Sequence, residues 1–144
     1  HLAVFDADAA EAIMAQENGV EDWYLAGHSL GGVMASSFAA DQTDRVDGLI
    51  FLASYPSNDL TDAPFPVLSI YGSEDEVLNR ESYDEAQAKL PDDYTEIVLD
   101  GGNHGQFGDY GPQEGDGTAS FSADQQQQQT VEAITAFIGN SHQQ

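Results

Sequence analysis

The sequence predicts an α/β protein, a three-layer sandwich with a mostly parallel sheet between two layers of helices. Three observations carry that expectation. Four short, largely apolar runs, at residues 23–26, 48–53, 66–71 and 95–99, have the length and composition of strands buried on both faces. Segments of helical character alternate with them, the arrangement that covers a parallel sheet on both sides. Polar residues able to do chemistry stand just after the runs: Ser29, Tyr55, Asp75 and His104. In such a sheet every strand ends along one edge, and ligands bind there.

Taken in order, residues 8–17 read as a helix. Asp8 with Glu11 three residues later resembles a capping box, Ala10, Ile13 and Met14 share a face, and Asn18-Gly19 stops the segment. Residues 23–26, Trp-Tyr-Leu-Ala, form the first strand and lead into Gly27-His28-Ser29-Leu30-Gly31-Gly32. Residues 33–40 are rich in small side chains and helical in character. The strands at 48–53 and 66–71 follow. Residues 80–90 read as a helix closed by Pro91, and 95–99 as the fourth strand. A glycine-rich stretch fills 101–117. The last element is a helix over about 123–138, with a capping box from Ser122 and Gln125 and an apolar face of Val131, Ile134 and Ile138. The glutamine run 125–129 reads as its solvated first turns.

The 144 residues suit a single domain spanning 1–144. Charge narrows the function. Asp and Glu number 26 against 3 Lys and Arg, a formal net charge of −23. Nucleic acid is excluded as a partner, because neutralising phosphates needs a basic face. Anionic membrane surfaces are disfavoured for the same reason, so no membrane partner is expected. The acids are scattered between apolar segments, so they read as a folded surface adapted to strong salt, that of a halophile, and not as a disordered tail. There are no cysteines, hence no disulfide, thiolate metal site or cysteine nucleophile. Asp109, Glu114 and Asp116 lack the spacing of a calcium loop and read as surface acids, so neither metal nor cofactor is expected. The chain begins at His1 without methionine, and an N-terminal segment is expected to precede it.

The polar residues at the strand ends fit one chemistry. A serine hydroxyl is a weak nucleophile at neutral pH and needs an adjacent base. Histidine can take that proton and return it to a leaving group. A carboxylate behind the imidazole fixes its tautomer and stabilises the cation that forms. Glycines around Ser29 permit a sharp strand-to-helix turn that exposes the hydroxyl. The backbone N–H of Leu30, at a helix N-terminus, is then a natural donor to an oxyanion. Tyr55, Phe107 and Tyr110 are candidates to line a substrate pocket, or to pack the loops. The same residues on a non-catalytic binding module are the alternative.

With these residues the sequence resembles the α/β-hydrolase superfamily. Gly27-His28-Ser29-Leu30-Gly31 matches its G-x-S-x-G elbow, and Ser29, Asp75, His104 stand in its order of nucleophile, acid, histidine. The stretches GLIFLASYP, VLSIYGSEDEV and GGNHGQFGDYG are similar to a dienelactone-hydrolase-like and carboxylesterase-like branch. The resemblance implies the C-terminal portion of that fold, a Ser-His-Asp triad acting through an acyl-enzyme, and a small ester-type substrate. The connection 53–66 is too short for a helical cap, which implies an open site. The family has about eight strands, and four are read here. The earlier ones, including that whose following loop supplies a second oxyanion donor, are expected to be missing, with Phe5 and its neighbours a remnant. The strand at 23–26 would then be an open edge, and pairing with a second copy of the chain is one way to cover it.

The charge makes one prediction. Raising salt from about 0.1 M to 1 M shortens the screening length from about 10 Å to about 3 Å. Calorimetry in potassium chloride should show the melting temperature climb by several degrees across that range. A flat profile would mean that self-repulsion is not a major term.

Overall fold

The computed structural model describes residues 2–5, 23–44, 46–107 and 115–142. Its strands are β1 (Leu2–Phe5), β2 (Tyr24–His28), β3 (Gly48–Leu52), β4 (Val67–Gly72) and β5 (Tyr94–Leu99). All pair in parallel and lie side by side in chain order. The register sets Phe5 beside Gly27, His28 beside Leu52, Leu52 beside Ile70 and Gly72 beside Leu99. Strand ends are therefore level, and the segments that leave them emerge along one edge.

Alternation along each strand divides the core in two. Leu25, Leu49, Phe51 and Val67 face one side, where they meet Ala35 and Ala39 of α1 (Leu30–Asp41) together with Leu60 and Phe65 of the connection after β3. Both alanines are fully buried, so small side chains let this helix lie close to the sheet. Ala26, Ile50, Leu52, Leu68, Ile70 and Leu99 face the other side, against Ala133, Ile134 and Phe137 of α3 (Ala123–His142). Fully burying each large apolar side chain contributes about 1.5–3 kcal/mol. Ser69 faces the α1 side from within β4 and is buried. Its hydroxyl is 2.8 Å from that of Tyr83 on α2 (Arg80–Ala86), which donates in turn to Glu96 Oε2 at 2.6 Å. That chain satisfies the buried polar groups and ties α2 to β4 and β5. The result is the three-layer α/β/α sandwich that the sequence predicts.

Several expectations need correcting. The strand count among the described residues is five, because Leu2–Phe5 is a strand and not merely a remnant. Residues 24–28 are consequently paired on both sides and are not the open edge. The helix read over 80–90 ends at Ala86 and tightens into a 3₁₀ turn, Gln87–Lys89, before Pro91. The final helix presents a different face to the core. Gln126 and Thr130 are buried and Ile134 and Phe137 pack on the sheet, whereas Val131 is 61% exposed. The capping box is present as read, with Gln125 N–H on Ser122 Oγ and Ser122 N–H on Gln125 Oε1. The helix expected at 8–17 lies outside the described residues. No described helix is long and apolar enough to cross a membrane.

The face of α3 is testable. Phe137 meets the ring of Tyr24 edge-on at 6.2 Å. Because the ring is only half-buried, Phe137→Ala should cost about 2 kcal/mol, below the about 3–5 of a fully buried phenylalanine. Val131→Ala should cost less than about 0.5 kcal/mol. Denaturant unfolding measures both, and the reverse ranking would contradict this packing.

Candidate active site

Ser29 follows β2 directly and is the N-cap of α1, with φ 56° and ψ −120°. A non-glycine residue there is strained, at a cost of about 1–3 kcal/mol, and such strain persists only where its surroundings over-determine it. They do so here. The Ser29 N–H donates to Leu52 O at 3.0 Å, which continues the strand ladder one residue past β2. The Ser29 carbonyl accepts from Gly32 N–H at 3.0 Å and from the buried Ser54 hydroxyl at 2.6 Å. A Cβ on Gly27 would collide with the backbone of Gly31, so only glycine lets strand and helix turn this tightly. Leu30 opens α1, and its N–H is among the donors that a helix leaves without an internal partner.

Asp75 stands after β4 and is 5% exposed, while its neighbours Glu74 and Glu76 are solvent-exposed. One carboxylate oxygen accepts from the N–H groups of Val77 and Leu78, both at 2.8 Å. The other is 2.8 Å from His104 Nδ1, and this pair is buried. Burial alone would raise the Asp75 pKa. The bonds from His104, Leu78 and Val77 outweigh it and hold the carboxyl below its ordinary value. Asp75 is therefore ionised and can only accept, so His104 Nδ1 is the donor of this bond, and in the neutral imidazole the lone pair is on Nε2. A Cβ on Gly72 would strike the backbone of Gly102, so a bare glycine lets the two loops approach closely enough for that bond.

Ser29, His104, Leu30, Tyr55, Ser54, Val77, Leu78 and Asn79 share one cleft of about 260 Å³. The structure bonds Asp75 to His104. It places Ser29 and His104 on the same cleft without a hydrogen bond between them, since the buried Nε2 has no partner. Tyr55 lines the cleft. Phe107 does not: it packs against His28, with ring centroids 5.8 Å apart, and against the α3-side core. Tyr110 lies outside the described residues, as do Asp109 and Glu114. Asp116 is no free surface acid, because it accepts the N–H groups of His104, Gly105 and Gly117. Among the described residues no acidic or histidine cluster could hold a metal.

A family model described as the alpha/beta hydrolase family matches residues 1–128. The chain belongs to the alpha/beta hydrolase family. Among solved structures, Est1E from Butyrivibrio proteoclasticus matches with a TM-score of 0.63 at 17% identity, over 92% of this chain and 66% of that one. A CIB-like hydrolase from Thermoplasma acidophilum matches with 0.55 at 22% identity, over 65% and 47%. A carboxylesterase of the thaumarchaeon Nitrososphaera gargenis matches with 0.58 at 13% identity, over 86% and 67%. A search of curated proteins returns no match. The chain thus spans about half to two thirds of the length of these structures, and shares with them the fold, in its C-terminal portion.

From sequence alone, His28 has no role beyond its place in the elbow. Its Nε2–H donates to the His104 carbonyl at 2.9 Å, and the two imidazole rings lie 4.7 Å apart. Burial first, and the second imidazole next, lower its pKa from 6.5 to about 4. The unfolded chain therefore binds a proton at His28 that the folded protein refuses, between about pH 6.5 and pH 4. Stability from this group is complete above pH 6.5 and falls by about 3 kcal/mol as the pH drops to 4. The unfolding free energy of the wild type relative to His28→Asn, measured across that range in molar potassium chloride to screen the acidic surface, should show this decline.

Proposed function

We propose that this protein is a serine hydrolase that cleaves ester-type bonds by acyl transfer. The observation that carries the reading is the buried Asp75–His104 bond, opening on the cleft that also holds the strained Ser29. Ser29 Oγ attacks the carbonyl carbon of the substrate while His104 Nε2 takes the hydroxyl proton. Side-chain rotation at Ser29 takes picoseconds to nanoseconds when exposed, so the bond missing in the resting site can form as substrate enters. The imidazolium is stabilised by ionised Asp75, as in a Ser-His-Asp triad. The tetrahedral oxyanion develops at the N-terminus of α1, where the Leu30 N–H and the helix dipole favour negative charge. His104 then protonates the leaving alcohol. Water, deprotonated by the same nitrogen, releases the acyl group and restores Ser29.

Membership of the family and the carboxylesterase among the structural neighbours support this reading. The cleft favours small substrates, with Tyr55 and the apolar side chains of Val33, Val77 and Leu78 around the acyl or alcohol group. The absence of a resting Ser29–His104 bond favours one rival, a non-catalytic binding module on the same fold.

A fluorophosphonate probe separates the two. The enzyme should be labelled at Ser29, with labelling abolished in Ser29→Ala, and Asp75→Asn should slow ester hydrolysis by about 10⁴ because the imidazole loses its orienting carboxylate. Wild-type protein that stays unlabelled while folded would establish the binding module instead.

A further inference from the structure

The turn that carries His104 is held by side chains. The N–H of Asn103 donates to Gln126 Oε1 at 3.1 Å, and the carbonyl of Asn103 accepts from Gln126 Nε2 at 2.8 Å. The N–H groups of His104 and Gly105 donate to Asp116 Oδ1 and Oδ2 at 3.1 and 2.8 Å. The His104 carbonyl takes the bond from His28 already described. Asn103 locks the arrangement with its own amide, donating from Nδ2 to Gly117 O at 3.0 Å and accepting the Gln106 N–H on Oδ1 at 3.0 Å. Gln126 is fully buried, although it sits in a run of five glutamines that reads as solvated.

We propose that Gln126 and Asp116 are positioning residues for His104: together they fix the backbone on which the general base is mounted. The inference rests on the triad reading for its catalytic meaning. An imidazole is aimed by two anchors. One is Nδ1, held by Asp75. The other is the backbone, since rotation about the side chain cannot compensate for a displaced Cα. Gln126 grips the peptide before His104 from the α3 side. Asp116 grips the next two N–H groups with a charged acceptor, and bonds to an ionised group are among the stronger ones. Removing either leaves backbone donors of the catalytic turn unpaired, and the turn must shift to find water. A displacement near 1 Å at a reacting group can cost about 10²-fold in rate.

Gln126→Leu removes both bonds on the α3 side at similar size. Asp116→Asn removes the charge and one acceptor on a half-buried loop, where misfolding is not expected. Two readouts are needed. The first is hydrolysis of p-nitrophenyl acetate, split into kcat and KM. The second is the downfield proton resonance of His104 Nδ1–H and its exchange with solvent, which needs no turnover. Each variant should lose about 10–100-fold in kcat with KM within about threefold, and its Nδ1–H should exchange at least tenfold faster at a temperature where it is fully folded. Folded variants with wild-type kcat and an unchanged Nδ1–H signal would overturn the proposal, leaving both side chains a purely structural role. If Gln126→Leu does not fold, Asp116→Asn decides alone. If wild type is not labelled at Ser29, the triad reading fails separately, and the Nδ1–H signal still decides whether the clamp sets the imidazole.

Discussion

The 2.8 Å bond between Asp75 and His104 joins residues 29 apart in sequence, and much of the molecule exists to close that gap. It requires β4 and β5 to be parallel neighbours whose ends are level, which the register from Val67 beside Tyr94 to Gly72 beside Leu99 provides. It requires two loops to pass within touching distance, which the bare Cα of Gly72 allows. It also requires the carboxylate to stay ionised while buried. Burial works against that, and the bond from His104, with the N–H groups of Leu78 and Val77 in the turn after Asp75, outweighs it. A protein with 26 acidic residues does not lack carboxylates near a histidine. What distinguishes Asp75 from Glu74 and Glu76 is that both of its oxygens are occupied away from water.

The fold was legible because its signals are local and periodic. Strands buried on both faces read as continuous apolar runs, and β2, β3 and β4 fall within two residues of their expected limits. β1 was not legible as a strand, since four residues followed by acidic sequence carry no period to recognise. The face of α3 was misread for a related reason. Choosing among Val131, Ile134 and Ile138 by hydrophobicity ignored Gln126 and Thr130, which occupy the inward phase set by Ile134 and Phe137. The capping box fixed where that helix begins, and counting turns from Ser122 would have placed a glutamine in the interior.

The site divides in the same way. Ser29, Asp75 and His104 announce themselves because chemistry restricts the residue types and the turns around them need glycine. Gln126, Asp116 and His28 do not. Their partners are backbone atoms of a loop far away in sequence, and any loop offers the same N–H and carbonyl groups. One weak signal was available for Asp116: it lies between Gly115 and Gly117, at the close of a glycine-rich stretch, where an aspartate can turn back to bind nearby N–H groups. Nothing in the sequence said that those groups would belong to residues 104 and 105.

His28 shows why the charge state of a neighbour matters as much as its position. In the proposed reaction His104 becomes cationic at the transition state. A second imidazolium with its ring 4.7 Å away would oppose that cation by about 3–4 kcal/mol at an effective dielectric near 20. That is enough to slow the step by two to three orders of magnitude. Burial keeps His28 neutral down to about pH 4, so it can hold the His104 carbonyl without setting a positive charge against the base. A lysine or arginine could make the same hydrogen bond only with that penalty. The carboxylates of Asp75 and Asp116, touching the imidazole and the backbone of the same residue, act in the opposite sense and favour the cation. The elbow position before the proposed nucleophile thus suits a donor that is strong enough to fix a carbonyl and uncharged where the proposed reaction needs it to be.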